Sequence, residues 1–275
     1  MACMAQSKLR PSCAPAIIAA GNSEVIAVSD GRSEDVLLFY GLDDINRAKS
    51  HCLHVGSTVT ALCISTTITP YLFTCSTHGI QRWILSFSES VSLLVDTGGI
   101  SPPENVLSET LDGIPVHLSV NKTGDRLIAC IDTFAIVINT GSGRVTTRLE
   151  GHSAAVTGAA FRHDHENSAV TISEDRRFIV YDLSSAAVLF QSSIVSSSPF
   201  VSIAVQEDLG SCCAIGSSDG KARVYDLATP GCRLVHTFDI PAMTGAAAAS
   251  SLSFSWLQGM SCWSHCTSSA ATASH

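Results

Sequence analysis

The chain has 275 residues and a formal net charge of −8, from 16 basic and 24 acidic side chains. Because neutralising phosphates needs clustered Lys and Arg, and no such cluster occurs, this composition argues against a nucleic-acid-binding surface. No apolar run reaches the roughly 20 residues of a membrane span, and prolines interrupt the N-terminal segment, so neither a membrane helix nor a secretory signal is predicted. Most of the 11 cysteines fall in apolar strand-like runs, which favours a reducing intracellular compartment, the cytoplasm or the nucleus.

Strand-like runs recur along the chain with a regular period. The positions expected near the ends of third strands are 43, 55, 43 and 44 residues apart, and they are Tyr40, Trp83, Ile138, Tyr181 and Tyr225. Around them, runs rich in Val, Ile, Thr and aromatic residues are separated by turn residues. The long second step predicts an insertion at residues 97–113. The chain is therefore predicted to be all-β, with five four-stranded units over residues 14–240 after a disordered N-terminus, residues 1–13.

Individual strands can be predicted for several of these units. The first unit offers APAIIAA as its inner strand. The third is predicted as VHLSV, DRLIACI, AIVINT and VTTRLE, and the fourth as AAVTGAAF, SAVTIS, RFIVYD and AVLFQSSI. The fifth ends with RLVHTFD as its outer strand. The intervening segments are rich in Gly, Asn, Asp and Ser, which favour tight turns.

The fourth and fifth units share a motif. A Gly-His pair precedes the fourth unit, a Ser-x-Asp turn follows its second strand and a Tyr-Asp pair ends its third, and the last two features recur in the fifth unit. This pattern, with its period of about 40–45 residues, resembles the WD-repeat (WD40) β-propeller family. The resemblance implies a structural hydrogen-bonded network, at His152, Ser173, Asp175 and Tyr181 in unit four and at Ser217, Asp219 and Tyr225 in unit five. Tyr181 stands where the family has Trp, and unit five lacks the Gly-His pair.

The number of units poses a physical problem. WD-repeat rings usually have seven blades, and the resemblance is to the N-terminal propeller of a longer, multi-propeller parent. Five blades leave sheet edges and apolar blade faces exposed. We therefore expect an incomplete or truncated propeller that closes as a small strained ring, borrows blades from a partner or self-associates through unpaired blade edges.

The C-terminal segment, residues 241–275, differs from the rest of the chain because it contains no Asp, Glu, Lys or Arg. It shows neither blade periodicity nor sustained helical spacing, so we predict a low-complexity disordered tail. An alternative is that altered splicing or a shifted reading frame truncates a longer propeller protein here and leaves a product without independent function. The Ser content argues against a membrane anchor.

Motifs for catalysis or metal binding are weak. Ser218 satisfies G-x-S-x-G at residues 216–220, but a strand rather than a helix follows, and no His and acid partner can be assigned. The adjacent ligands at residues 163–166 cannot easily converge on one ion, and the Cys and His set at residues 262–266 is incomplete. We therefore predict no enzyme, catalytic residue, metal or cofactor, with a propeller-type hydrolase as the alternative.

One candidate region for partner contact is the insertion. It is long for a connection between blades, and it carries Pro102, Pro103 and Glu104. A tolerated insertion without a binding role explains its length equally well.

A second candidate region is a basic spot on this acidic protein. Arg176 and Arg177 follow the Ser-x-Asp turn of unit four, and Lys221 has a similar position in unit five. Such a spot suits an acidic or phosphorylated peptide, although most charges of this kind are merely solvated. The sequence thus predicts a non-catalytic scaffold that binds other proteins or peptides through propeller loops, without nucleic acid or a membrane as partner.

Overall fold

The computed structural model describes residues 18–239 apart from 22–24, 30–33, 41–48, 68–69, 86–103, 108–109, 166 and 207–210. The predicted disorder of residues 1–13 and 241–275 therefore concerns segments outside the described residues. Every regular element in the described part is a β strand. No helix in that part is long and apolar enough to cross a membrane.

The strands form five antiparallel four-stranded sheets, which we call blades one to five. Blade one contains β1 (Ile18–Gly21), β2 (Val25–Ser29), β3 (Asp35–Tyr40) and β4 (Lys49–His54). Blade two contains β5 (Ala61–Ile64), β6 (Tyr71–Ser76), β7 (Gly79–Ile84) and β8 (Glu104–Asn105). Blade three contains β9 (His117–Val120), β10 (Arg126–Ile131), β11 (Phe134–Asn139) and β12 (Arg144–Leu149).

Blade four contains β13 (Val156–Phe161), β14 (Ser168–Ser173), β15 (Phe178–Asp182) and β16 (Ala187–Gln191). Blade five contains β17 (Phe200–Val205), β18 (Cys212–Ser217), β19 (Lys221–Asp226) and β20 (Arg233–Asp239). In every blade the strands pair in chain order, so each blade is a meander. These sheets confirm the predicted all-β class and the five four-stranded units.

The strands predicted for units three to five lie close to the observed ones. SAVTIS and RLVHTFD are β14 and β20 without any shift. The other predicted runs differ by at most three residues at an end. Alternating or wholly apolar runs bounded by turn residues were sufficient to predict the strands of these blades.

The insertion predicted at residues 97–113 is not a loop throughout, because it contains a two-residue strand. Glu104–Asn105 is the outer strand of blade two, where Gln81 and Arg82 of β7 pair with it. The next residue, Val106, is 3% exposed and belongs to the core between blades two and three. Because this short strand lacks β-branched and aromatic residues, its position depends on the anchoring of Val106 rather than on local propensity.

The first strands of the five blades pack side by side in chain order, from β1 through β5, β9 and β13 to β17. They form the inner edge of the array, whereas the fourth strands β12, β16 and β20 are largely exposed. Within the described residues, no comparable packing joins β17 back to β1. The blades thus form an open array, as expected for an incomplete propeller.

Apolar cores fill the spaces between successive blades. In blade four all six residues of β14 are buried, and they serve two cores. Ala169 packs in the core shared with blade three, whereas Val170 and Ile172 pack in the core shared with blade five. Burying a large aliphatic side chain in this way stabilises the fold by roughly 1.5–3 kcal/mol.

Hydrogen bonds between blades supplement these cores. Thr157 Oγ1 of β13 donates to Phe200 O of β17 at 2.8 Å. Thr60 Oγ1, just before β5, donates to Pro115 O, just before β9, at 2.8 Å. These contacts lie where the chain enters the first strands, so they fix neighbouring blades relative to each other at one end of the array.

Candidate interaction rim

One end of each blade carries the turn between its second and third strands, together with the segment that enters its first strand. Antiparallel pairing places both at the same end of the sheet. In blade four, the Ser153 N–H donates to Asp175 Oδ2 at 3.1 Å, and in blade five Ser197 Oγ donates to Asp219 Oδ2 at 3.3 Å. We call this surface the turn rim, and it comprises residues 77–78, 132–133, 151–155, 174–177, 197–198 and 218–221.

A buried histidine and carboxylate hold the turn rim of blade four. The side chains of His152 and Asp175 are 1% and 4% exposed, and His152 Nδ1 lies 2.8 Å from Asp175 Oδ2. On the other side of the ring, His152 Nε2 lies 2.8 Å from Thr171 Oγ1. With Nδ1 protonated, the ring donates to the carboxylate and accepts from the Thr171 hydroxyl. One neutral tautomer therefore satisfies both contacts.

The titration behaviour of this pair follows from its surroundings. Burial lowers the pKa of His152 below its ordinary value, although Asp175 acts in the opposite direction. Burial acts to raise the pKa of Asp175, but hydrogen bonds from His152 and from the N–H groups of Ser153 and Arg177 hold that pKa below its ordinary value. Near neutral pH the pair is therefore a neutral imidazole bound to a carboxylate. Both groups are satisfied within the protein, as in a structural network.

The network of blade four includes Thr171, which sequence reasoning missed. Ser173 contacts the backbone of the same turn: its hydroxyl donates to Ala154 O at 3.0 Å and accepts the Asp175 N–H at 3.1 Å. Thr171 lies two residues before Ser173 on β14 and contacts His152 instead. Its spacing from Ser173 could have revealed Thr171, because residues i and i+2 of a strand share a face.

Tyr181 closes the other side of blade four's network. Its hydroxyl donates to Glu150 O at 3.0 Å, next to the Gly-His pair. Burial raises the pKa of Tyr181 to about 12. In blade two, Trp83 Nε1 donates to Thr74 Oγ1 at 3.0 Å. Each of these third-strand aromatic residues thus has its single polar group hydrogen-bonded inside the protein.

Blade five builds the same turn without a histidine. Ser217 Oγ donates to Asp219 Oδ1 at 2.6 Å, and Arg223 Nη1 donates to Ser217 Oγ at 2.9 Å. Arg223 is a second network residue that sequence reasoning missed. Burial raises the pKa of Tyr225 to about 12, and its ring packs on Phe178 of blade four with 4.6 Å between ring centroids.

The basic residues Arg176, Arg177 and Lys221 belong to the turn rim. Arg176 has a φ of 67°, at the turn position that Gly220 occupies with a φ of 79° in blade five. A left-handed backbone costs a non-glycine residue roughly 1–2 kcal/mol. Arg176 and Arg177 are partly exposed, and among the described residues no carboxylate forms an ion pair with either. Lys221 is exposed, with Nζ 3.5 Å from Asp239 Oδ1.

The other candidate contact residues lie apart from this surface. Pro102 and Pro103 lie outside the described residues. Glu104 lies on the outer strand β8, and its carboxylate forms an ion pair with Arg82 of β7. Arg82 also donates to Thr140 O of blade three at 3.4 Å. Glu104 therefore helps to hold the outer strand β8 against β7 of blade two.

The described residues do not bring together a catalytic or metal-binding set. Ser218 lies in the turn between β18 and β19, so a strand follows it. Asp164 forms an ion pair with Arg162, and His165 is 69% exposed. In the described part, no group of three or more His, Cys, Asp or Glu side chains could hold a metal ion. Glu166 and residues 262–266, which the sequence analysis considered and rejected as metal ligands, lie outside it.

Comparison with known proteins supports the architecture. No protein-family model matches this chain. The fold is similar to that of a chain in the structure titled "Crystal Structure of Mitotic Checkpoint Complex", with a TM-score of 0.62 and 16% sequence identity. The match covers 86% of this chain and 64% of that chain. At this identity the similarity shows the fold alone: the described blades form an open array of the β-propeller type.

Proposed function

We propose that the chain is a non-catalytic WD-repeat scaffold whose turn rim binds an acidic or phosphorylated peptide of another protein. The observation that carries this proposal is the backbone of Arg176, which is left-handed where blade five has glycine. Strained residues of this kind concentrate at functional sites. The strained residue, Arg176, carries a guanidinium group and is followed directly by Arg177. Guanidinium groups form paired hydrogen bonds with carboxylates and phosphates.

Of the two carboxylates in this turn, Glu174 is partly exposed, whereas Asp175 is turned away from a partner. Asp175, a carboxylate of the same turn, is engaged by His152 and by backbone N–H groups, so it is buried rather than presented to the surface. Lys221 extends the basic surface to blade five. Because the His152 network fixes the turn before binding, little conformational entropy is lost when a peptide binds.

Binding of the intact chain to an array of acidic peptides and phosphopeptides tests the proposal. For the retained peptides we expect Arg176→Ala with Arg177→Ala to weaken affinity at least tenfold, since a contact arginine commonly contributes more than about 1.4 kcal/mol. The matched control is Lys122→Ala with Arg144→Ala. It also removes two positive charges, but from the end of blade three that lies away from the turn rim. This control should change affinity less than twofold. Equal effects of the two pairs, or no retained peptide, contradict the proposal.

We further propose that the chain acts inside the cell and derives from a longer parent similar to WD repeat-containing protein 27. The repeat order of units four and five supports the parent. The seven cysteines of the described part carry free thiols, six of them buried, which supports a reducing compartment. Limited proteolysis separates a folded scaffold from a splice product without independent function. A scaffold should yield a protected core near residues 18–239, whereas a product without a stable fold is digested throughout.

A further inference from the structure

The segment that connects β16 to β17, residues 192–199, runs along the turn rim from blade four to blade five. The Val195 N–H donates to Arg176 O at 3.4 Å, in the turn of blade four. Two residues further on, Ser197 Oγ donates to Asp219 Oδ2 at 3.3 Å, in the turn of blade five. The segment therefore passes beside the arginine pair that the proposed peptide site uses.

Ser198 is the residue of this segment that best suits covalent modification. It is partly exposed, and two exposed residues, Ser197 and Pro199, flank it. Its N–H donates to Ser196 Oγ at 3.2 Å, whereas its hydroxyl forms no hydrogen bond within the described part of the chain. Modification of this hydroxyl would therefore break no existing contact of the side chain.

Ser198 is followed directly by proline, and proline-directed protein kinases modify a Ser or Thr in this position. Within the described residues, the other hydroxyl residue followed by proline is Thr229. Its hydroxyl donates to Asp226 O at 3.2 Å and accepts the Arg233 N–H at 3.3 Å. Because the hydroxyl of Thr229 is engaged in its own turn and that of Ser198 is not, the structure favours Ser198.

We propose that Ser198 is a phosphorylation site whose phosphate group pairs with Arg176 and Arg177 and thereby displaces the acidic peptide. This inference rests on the proposed function, since it assigns a regulator to the same two arginines. In the reaction, Ser198 Oγ forms a bond to the γ-phosphorus of ATP, and the bond from that phosphorus to the bridging oxygen breaks to release ADP. The hydroxyl proton passes to a base of the kinase.

A phosphate group on Ser198 is within reach of the arginines. Ser198 lies three residues beyond Val195, whose N–H contacts Arg176 O, so roughly 10 Å of backbone at most separates the two positions. An extended arginine side chain and a phosphate group can together bridge this span. Because the phosphate is tethered to the same rim, its effective concentration at the arginines is high, and a peptide in solution must compete with it.

The charges of the two turns also favour this ion pair. Near neutral pH the phosphate carries a charge of about −1.5 to −2 and three acceptor oxygens, which suit the paired donors of a guanidinium. Among the described residues, no carboxylate has to be displaced from Arg176 or Arg177, because neither forms an ion pair there. Glu174 and Asp219 repel the phosphate, whereas Lys221 adds a third cation to the rim.

The first part of the test locates the modification. The intact chain is incubated with ATP and a proline-directed kinase, and mass spectrometry identifies the phosphorylated residue. We expect phosphate on Ser198, its loss in Ser198→Ala and its retention in the matched control Thr229→Ala. Absence of phosphate from Ser198 of the folded chain overturns the proposal.

The second part detects the ion pair by phosphorus NMR, without any peptide. The second pKa of a phosphoserine is ordinarily about 6, and in the folded chain it should be lower by about half a unit or more, because the arginines favour the dianion. Arg176→Ala with Arg177→Ala should return the pKa to its ordinary value, whereas Lys122→Ala with Arg144→Ala should leave it low. Equal pKa values in the two double variants overturn the proposal.

The third part measures the consequence for binding. The chain phosphorylated on Ser198 should bind the retained acidic peptides at least tenfold more weakly than the unmodified chain. Undiminished affinity overturns the proposal, because the phosphate then leaves the arginines free. If the unmodified chain retains no acidic peptide, the proposed function fails on its own, and the phosphate pKa still decides whether Ser198 regulates the state of these arginines.

Discussion

Blades four and five carry the same Ser-x-Asp turn and Tyr-Asp pair, yet different contacts stabilise them. Blade four lies between two neighbours, and the buried His152 closes its turn. Blade five has a single blade neighbour in the described array, and Ser217 and Arg223 close its turn. The repeat motif therefore sets the local turn geometry, whereas position in the array decides how much each residue contributes to stability.

The largest expected effect is at the core that joins these two blades. Phe178 is 1% exposed, and its ring centroid lies 4.6 Å from that of Tyr225 and 5.5 Å from that of Phe190. Phe178→Ala should lower the free energy of unfolding by about 3–5 kcal/mol, because it leaves a cavity between the blades. Chemical denaturation measures the loss. Leu189→Ala, at a side chain that is 60% exposed, is the control and should change stability by less than about 0.5 kcal/mol.

The next effect separates the two turns. His152→Ala removes the ring that bonds Asp175 and leaves a buried carboxylate with fewer donors, so we expect a loss of about 2–4 kcal/mol. Ser197→Ala removes the corresponding contact to Asp219 in blade five, a 3.3 Å hydrogen bond at an exposed position. Its loss should stay below about 0.5 kcal/mol. Similar losses in the two variants would show that the buried histidine contributes no more than the exposed serine contact.

The blades also differ in how much of their structure the sequence could predict. Blades three to five have strands that follow from apolar runs and turn residues, and the spacing of the Tyr-Asp pairs defined the repeat. β8 could not be predicted, because Glu104–Asn105 is short and exposed and is placed by the buried Val106 beside it. Thr171 could have been found from its face of β14. Arg223 could not, because the motif says nothing about what replaces a missing histidine.

Stability should also depend on pH through two histidines, one in blade three and one in blade four. Burial lowers the pKa of His117 to about 4 and lowers the pKa of His152 as well. Below the ordinary His pKa of about 6.5, the unfolded chain binds more protons than the folded chain. The stabilisation is therefore complete above that pH, and it is lost as the pH falls toward the folded-state pKa.

Between pH 7 and pH 5, His117 alone should account for a loss on the order of 1–2 kcal/mol in urea unfolding experiments. His152→Asn should remove the contribution of blade four and leave the slope that His117 causes. If neither His152→Asn nor His117→Asn reduces the pH dependence, these histidines do not cause it.

The smallest expected effect is at the position where the two turns differ in backbone chemistry. Arg176 and Gly220 both have left-handed φ values, 67° and 79°. Arg176→Gly removes steric strain but increases the flexibility of the unfolded chain, so the net gain in stability should be about 0.5–1 kcal/mol. Gly220→Arg should lower stability by about 1 kcal/mol, which thermal unfolding of both variants can measure. If the arginine serves binding, Arg176→Gly must also weaken acidic-peptide binding, so that stability rises while affinity falls. A stabilised variant with undiminished affinity would show that Arg176 has no role in recognition.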